Sequence, residues 1–360
     1  MTAGRTRVDA ERLADFATRA LQKVGVPEED ARITARILVV PGLRGVDTHG
    51  VANLSGYIRG GIRLGKINVN PKPKIFSQAP STATMDGDRG LGFVIGQRAM
   101  MEAMRRAEKT GAGFIAVRNS THFGAAACYA MMALERDMIG IALSNTPTGV
   151  VSPGSAKPAV GTNPIAVAVP AGKKTPFVLD MATSVVAGGK LEVARREGAS
   201  IPEGWAIDEE GRPTTDPTRV LHRGGEGSLL PLGGTPKLGG YKGFGLGVLV
   251  DILSGVLSGS SAGIIWANTP GIRGNLFCHF FGALRIDSFL PVENFKKSMD
   301  EMIDAFEALP TLPGIKKIYV AGGYETEIMK DREANGILLR SYVIQDLQEL
   351  AKELDIEYNL

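Results

Sequence analysis

Cysteine and histidine are scarce in this chain of 360 residues, which holds two of the first and four of the second. Cys128 and Cys278 lie far apart, and neither His49 nor His122 stands at metal-ligand spacing to a second His or Cys, so the spacing points to no disulfide framework and no metal site. Charge of one sign is missing too: 41 Lys and Arg against 38 Asp and Glu leave +3, with no basic run, which argues against nucleic acid or an anionic membrane as partner. No stretch approaches about 20 uninterrupted apolar residues. The nearest, Gly243 to Ile265, carries Asp251 and several serines, and reads as one buried helix. The stretch Met1 to Arg7 leads into a polar helix without an apolar signal core, so a reduced, cytoplasmic protein is expected.

What is present is apolar content of 44% and 46 glycines, enough for the cores and tight loops of two or three domains. Leu13, Phe16, Ala17, Ala20, Leu21 and Val24 recur at helical spacing behind an Asp9 cap; a second helix starts at Pro27 and ends at Pro41-Gly42. From about residue 72 the pattern alternates between α and β. It predicts a helix over 97–110, a strand at 114–118, a helical run over 125–137 and strands at 139–144, 165–169 and 177–179. A Gly/Pro/Ser-rich excursion over 199–240 is expected to be ordered, anchored by Trp205 and Leu229-Leu230. Amphipathic helices close the chain near 292–308 and around Val343, Leu347, Leu350 and Leu354.

Two of the four histidines sit in near-identical settings, Val46-Asp47-Thr48-His49-Gly50 and Asn119-Ser120-Thr121-His122-Phe123-Gly124. Each follows a hydroxyl and closely precedes glycine. An imidazole gives or takes a proton near neutrality, so both are candidates for acid–base chemistry, against the plainer reading of hydrogen-bonded structural histidines. His222 and His279 lie in less pointed contexts. Gly90-Leu91-Gly92-Phe93-Val94-Ile95-Gly96 only loosely matches a dinucleotide fingerprint and reads as structural. Gly161-Thr162-Asn163-Pro164 and Asp180-Met181-Ala182-Thr183-Ser184 are, taken alone, turn chemistry. Tyr241-Lys242-Gly243-Phe244-Gly245 is balanced between a turn and a phosphate contact. No serine-hydrolase elbow appears, since Ser258 stands misplaced between Gly255 and Gly259.

In order along nearly the whole chain, Leu43 to Gly50, Asn119 to Gly124, Gly161 to Pro164, Asp180 to Thr183, Tyr241 to Leu246 with Asp251, and His279-Phe280-Phe281 resemble the malate/L-lactate dehydrogenase family. This type II group also includes ureidoglycolate, sulfolactate and Δ1-piperideine-2-carboxylate oxidoreductases. The resemblance implies hydride exchange between NADH or NADPH and a 2-oxo or 2-hydroxy acid such as malate or lactate. The alternative is reduction of a cyclic 2-imino acid; a rival outside enzymes is a binding protein that has lost catalysis. It also implies an α/β (α+β) architecture whose nicotinamide-binding fold is not Rossmann but a mainly antiparallel sheet flanked by helices, beside a helical terminal domain, in a homodimer. The expected division is a helical domain over 1–70 joined by 295–360, a small α/β domain over 71–140, and an NAD(P)-binding domain over 141–294, with the cofactor against 144–282 and not against the Gly90 loop.

Carried over by position, His49 and His122 match the family's active-site histidines, with Thr48 keeping a hydroxyl beside the first. Either could be the proton donor; the reading leans to His49, with Thr48 and Tyr57 as a relay beside it. Ser120, His122, Thr146, Gly161, Thr162, Asn163, Asp180, Met181, Ala182, Lys242, Gly243, Asn275 and His279 match cofactor-lining positions. Many relatives carry arginine where this chain has Asn53, leaving Arg44 and Tyr57 beside Asn53 as partners for a substrate carboxylate. Pro147 replaces an aspartate found in some relatives, which disfavours ureidoglycolate as the substrate.

Overall fold

The computed structural model describes residues 4–77, 79–220, 226–269 and 277–360, so His222 and Asn275 fall outside the described residues. Strand β1 (Arg5–Val8) leads into α1 (Ala10–Lys23), where Asp9 accepts the amide of Arg12 at 2.9 Å, as its capping position predicts. Helix α2 (Glu28–Leu43) starts behind Pro27 but does not stop at Pro41; the proline lies inside it, and the Arg44 amide still closes a turn onto Val40 at 3.0 Å. A proline so near the end removes one hydrogen bond with little helix left to disrupt.

After α3 (Leu54–Tyr57) come strands β2 (Lys74–Ser77) and β3 (Thr82–Asp86), helix α4 (Gly92–Thr110), β4 (Ala112–Ser120) and α5 (Ala127–Ala130). The helix expected over 125–137 is thus only α5 followed by a 3₁₀ turn at Met131–Arg136. The chain continues with β5 (Met138–Ser144), β6 (Val150–Val151), β7 (Pro158–Val160), β8 (Ile165–Val169), β9 (Phe177–Met181) and α6 (Gly188–Glu197). The excursion is ordered where described, contributing β10 (Ala206–Ile207), β11 (Pro213–Thr214) and β12 (Ser228–Leu229). Helices α7 (Gly240–Asp251) and α8 (Gly263–Asn268), strand β13 (Phe277–Arg285), α9 (Val292–Glu307), α10 (Gly323–Asn335), β14 (Ile337–Arg340) and α11 (Ser341–Leu354) complete it.

The molecule is a mixed α/β protein. Its central seven-stranded sheet runs β2-β3-β4-β13-β5-β8-β9, antiparallel throughout except between β3 and β4, and draws strands from both sides of position 140. Helix α4 packs across β4 and β13 through Val94, Ile95, Met100 and Ala103. A second sheet, β11-β10-β12-β6-β7, has a small core of its own around Val150, Leu191, Ala206 and Leu229, with Trp205 packed on it. Strands β1 and β14 pair antiparallel, which brings α10 and α11 onto the N-terminal helices.

The single buried helix expected over 243–265 is corrected. The segment is α7, a π turn at Ile252–Val256, and α8, broken by Gly259 at φ +81°. Leu249, Ile252, Val256, Leu257, Ile264 and Ile265 leave an apolar face exposed. No described helix is long and apolar enough to cross a membrane. Helix α10 escaped sequence reading because its Gly-Tyr-Glu-Thr-Glu-Ile-Met-Lys-Asp-Arg run has almost no apolar periodicity.

Candidate active site

His49 ends a 3₁₀ turn, Asp47–His49, immediately after α2. The Thr48 hydroxyl lies 3.0 Å from its Nδ1, and the Asn53 amide donates back to the Thr48 carbonyl at 2.9 Å. Asn53 therefore braces the turn. His122 arrives from the opposite direction, at the end of β4, where Asn119 takes a left-handed φ of +52° and the chain leaves the sheet. Its loop rests on the start of α4: Gly92 donates to Thr121 Oγ1 at 2.8 Å, and a Cβ at Gly92 would lie 2.1 Å from the Thr121 carbonyl. Gly92 thus serves close packing beneath His122, while a Cβ at Gly90 would meet Pro71 and one at Gly96 would meet Tyr129.

The two imidazoles face each other nearly parallel, with centroids 5.9 Å apart and planes at 18°. Tyr57 Oη stands 2.6 Å from His122 Nδ1, and the Gly124 amide donates to the same nitrogen at 3.2 Å. An amide can only donate, so Nδ1 accepts and the neutral ring carries its proton on Nε2. Tyr57 is therefore not in the relay expected beside His49. The turns between 49 and 57 carry it round to the end of β4, where Phe93 meets it edge-on at 5.0 Å. Burial lowers the pKa of both histidines; for His122, burial and then the neighbouring His49 charge take it to about 3.

His279 lies in β13 beneath the site and is 0% exposed. Its Nδ1 meets Ser144 Oγ and its Nε2 meets Ser120 Oγ, each at 2.9 Å, while Phe123 stacks on its ring at 4.5 Å. With both nitrogens committed, His279 and Ser120 support the His122 loop from below and present no surface to a ligand.

On the other side of the central sheet's end, Asn163 is buried, accepting from the Thr146 amide at 2.9 Å and donating to the Gly247 carbonyl at 2.8 Å. The Thr162 amide donates to Thr146 Oγ1 at 2.9 Å. Gly161 has no room for a side chain, since a Cβ there would sit 2.1 Å from Thr146 Oγ1. Asp180 and Met181 end β9, with Ala182 following, and Asp180 Oδ2 accepts the Ala127 amide at 2.9 Å, tying β9 to the start of α5. Lys242 is exposed in the first turn of α7 with no carboxylate partner among the described residues, while Gly243 packs so tightly on Leu232 that a Cβ would meet its carbonyl at 2.3 Å. A cation without a carboxylate partner in the first turn of a helix, beside close-packed glycine, fits the phosphates of a dinucleotide.

Arg44 is 8% exposed, and its guanidinium has no hydrogen bond or ion pair with any described residue. Its charge is felt nearby: the Cys128 thiol is pushed up to about 12 by burial and by Asp180, with Arg44 and Arg36 pulling the other way. Sequence reasoning missed two further neighbours. Arg332 of α10 pairs with Asp47, and Gly189 at the start of α6 lies against Thr48, where a Cβ would stand 2.8 Å from Thr48 Cβ. Neither contact leaves a local signal, because both are long-range.

The family model for malate/L-lactate dehydrogenase matches residues 8–348. The chain belongs to that family. It is 46% identical to the malate dehydrogenase of Pyrococcus horikoshii over 98% of this chain and 96% of the relative. Identity to the L-sulfolactate dehydrogenase of Methanocaldococcus jannaschii is 38%, over 93% of this chain and 94% of that one. The crystal structure of malate dehydrogenase from Entamoeba histolytica superposes with a TM-score of 0.94 at 32% identity, covering 99% of this chain and 100% of that one. This family member is an NAD(P)-dependent oxidoreductase of 2-hydroxy acids.

Proposed function

We propose that this chain interconverts a 2-oxo dicarboxylate of the oxaloacetate type and its 2-hydroxy acid, with His49 as the proton donor in reduction. The observation that carries the reading is the pair of facing imidazoles with unequal surroundings. His122 is held neutral, its Nδ1 occupied by Tyr57 and Gly124, so its Nε2–H is a hydrogen-bond donor that orients the substrate oxygen. His49 has only the Thr48 hydroxyl on Nδ1 and no side-chain partner on its other nitrogen among the described residues, which leaves it the group that charges and discharges.

A bound nicotinamide would supply or accept the hydride. As negative charge develops on the substrate oxygen, protonated His49 stabilises it and then delivers the proton. Arg44 takes a substrate carboxylate, because its guanidinium makes no hydrogen bond to a described residue and its donors are free for an anion. Relatives named for malate and sulfolactate, both carrying a second anionic group, support a doubly anionic substrate. Asn53 acts by bracing the turn and Tyr57 by fixing His122.

Thr146, Gly161, Thr162, Asn163, Asp180, Met181, Ala182, Lys242 and Gly243 are proposed to hold the dinucleotide on a non-Rossmann, mainly antiparallel sheet, within the expected 141–294 domain, next to 71–140 and the helical pair 1–70 with 295–360. The exposed apolar face of α7 and α8 supports a homodimer. Two free cysteines support a reducing compartment, the cytoplasm. Following cofactor oxidation with oxaloacetate, pyruvate, sulfopyruvate and a cyclic 2-imino acid tests the assignment. The doubly anionic 2-oxo acids should turn over fastest, and Arg44→Met should raise their KM by about tenfold or more while leaving the cofactor KM within about twofold. A preference for the cyclic imine, or an unmoved substrate KM, contradicts it.

A further inference from the structure

Arg332 stands near the end of α10, far in sequence from either active-site histidine, yet it is only 7% exposed. One guanidinium nitrogen donates both to the Gly42 carbonyl in the last turn of α2 and to Asp47 Oδ1; the other lies 3.5 Å from Asp47 Oδ2. Asp47 is the first residue of the 3₁₀ turn that ends in His49. One turn earlier on α10, Ile328 packs on Gly45, whose φ of +81° and missing Cβ let the helix approach; a Cβ there would sit 2.9 Å from Ile328 Cδ1. Helix α10 thus seizes the joint between α2 and the histidine turn at two points.

Away from α10, among the described residues, the turn is held only by Gly189 against Thr48 and by the Asn53 amide on the Thr48 carbonyl. A cavity of about 570 Å³ lies behind Asp47, Thr48, Gly50 and Val51, with Lys190 and Trp205 on its far wall. A turn backed by open space keeps its place through the bonds it makes, and the strongest of these is charge-assisted and comes from Arg332. A guanidinium could pair with a carboxylate at the surface with far less desolvation, so its burial here is explained by the geometry it imposes. We propose that Arg332 and Asp47 form one positioning unit that sets the place of His49. The proposal rests on the reading of His49 as proton donor.

The test uses the full chain with saturating cofactor and compares Asp47→Asn, Arg332→Met, Arg332→Lys and the double variant Asp47→Asn/Arg332→Met. Misplacing a catalytic group by an ångström costs up to about a hundredfold, so each loss-of-pair variant should lower kcat for reduction by about tenfold or more, with the cofactor KM within about twofold. The double variant should be no worse than the more severe single one, and Arg332→Lys, which keeps a cation for Asp47, should recover part of the lost kcat. Multiplicative losses in the double variant, or native kcat in Asp47→Asn, overturn the proposal. Should Arg332→Met fail to fold, Asp47→Asn decides alone, since that side chain is partly exposed. His49→Ala measured in parallel separates the failures: native-like turnover there removes the reading of His49, whereas crippled turnover beside a native-like Asp47→Asn removes the positioning unit only.

Discussion

At the scale of single residues, the site is governed by which polar atoms are already spoken for. His279 and Asn163 have their hydrogen bonds filled from within the chain, which makes them fixtures, whereas Asn53 is held through its amide and His122 through Nδ1, its Nε2–H being left for the substrate. The residues with unspent capacity are His49, Arg44 and Lys242, and chemistry and ligand charge fall to them. Lys242 is the simplest to test. Replacing it with alanine removes one charge-assisted contact, worth about 1.5–3 kcal/mol, and should raise the cofactor KM by about tenfold or more with the fold intact. Isothermal titration with the oxidised cofactor checks this without turnover, and an unchanged Kd takes Lys242 out of the site.

At the scale of elements, β13 is the member that joins the parts. It pairs with β4 on one side and β5 on the other, and His279 stitches all three through Ser120 and Ser144. Burial first, and then the charge of His122, lower the His279 pKa to about 3, against about 6.5 in an unfolded chain. The sign follows: between those values the unfolded chain binds the proton and the folded one does not, so the stability this neutral ring contributes is complete above about pH 6.5 and drains away as the pH falls toward 3. His279→Phe should therefore destabilise the protein by about 1–3 kcal/mol at pH 7, and the gap from the parent should shrink at pH 4.5. Urea midpoints at the two pH values measure it; a gap that is equal or wider in acid contradicts the assignment of a neutral, buried His279.

Elements also show what a sequence can and cannot carry. Helices α1, α4 and α11 and the strands β4, β5 and β8 were legible because one buried face repeats along each. The histidine settings were legible because hydroxyl, imidazole and glycine stand side by side. Spacing points Tyr57 to His49, whereas its partner is His122, fixed by how α3 and β4 meet. Arg332 and Gly189 gave no signal at all: one sits in a charged helix with little apolar pattern, and the other is one glycine among many. The flank of α7 and α8 is exposed although its sequence is apolar, because apolar content alone does not say what covers it.

At the scale of the whole molecule, that apolar flank is left without a cover among the described residues. If a second copy provides it, the double variant Ile252→Glu/Val256→Glu should sediment as a monomer where the parent sediments as a dimer, because like charges brought together across the interface repel. A parent that sediments as a monomer, or a dimer untouched by both charges, contradicts this placement.

Turnover depends on one proton. Reduction needs His49 protonated, and burial lowers its pKa, so kcat/KM for reduction should fall as the pH rises through a midpoint below about 6.5, while oxidation, which needs the neutral ring, should rise over the same range. The direct test is that pH profile in the parent, His49→Ala and His122→Ala. The account predicts that His49→Ala loses about 10² to 10⁴ in turnover together with the falling limb, and that His122→Ala keeps the limb while its substrate KM rises. A limb that survives in His49→Ala and vanishes in His122→Ala would contradict it.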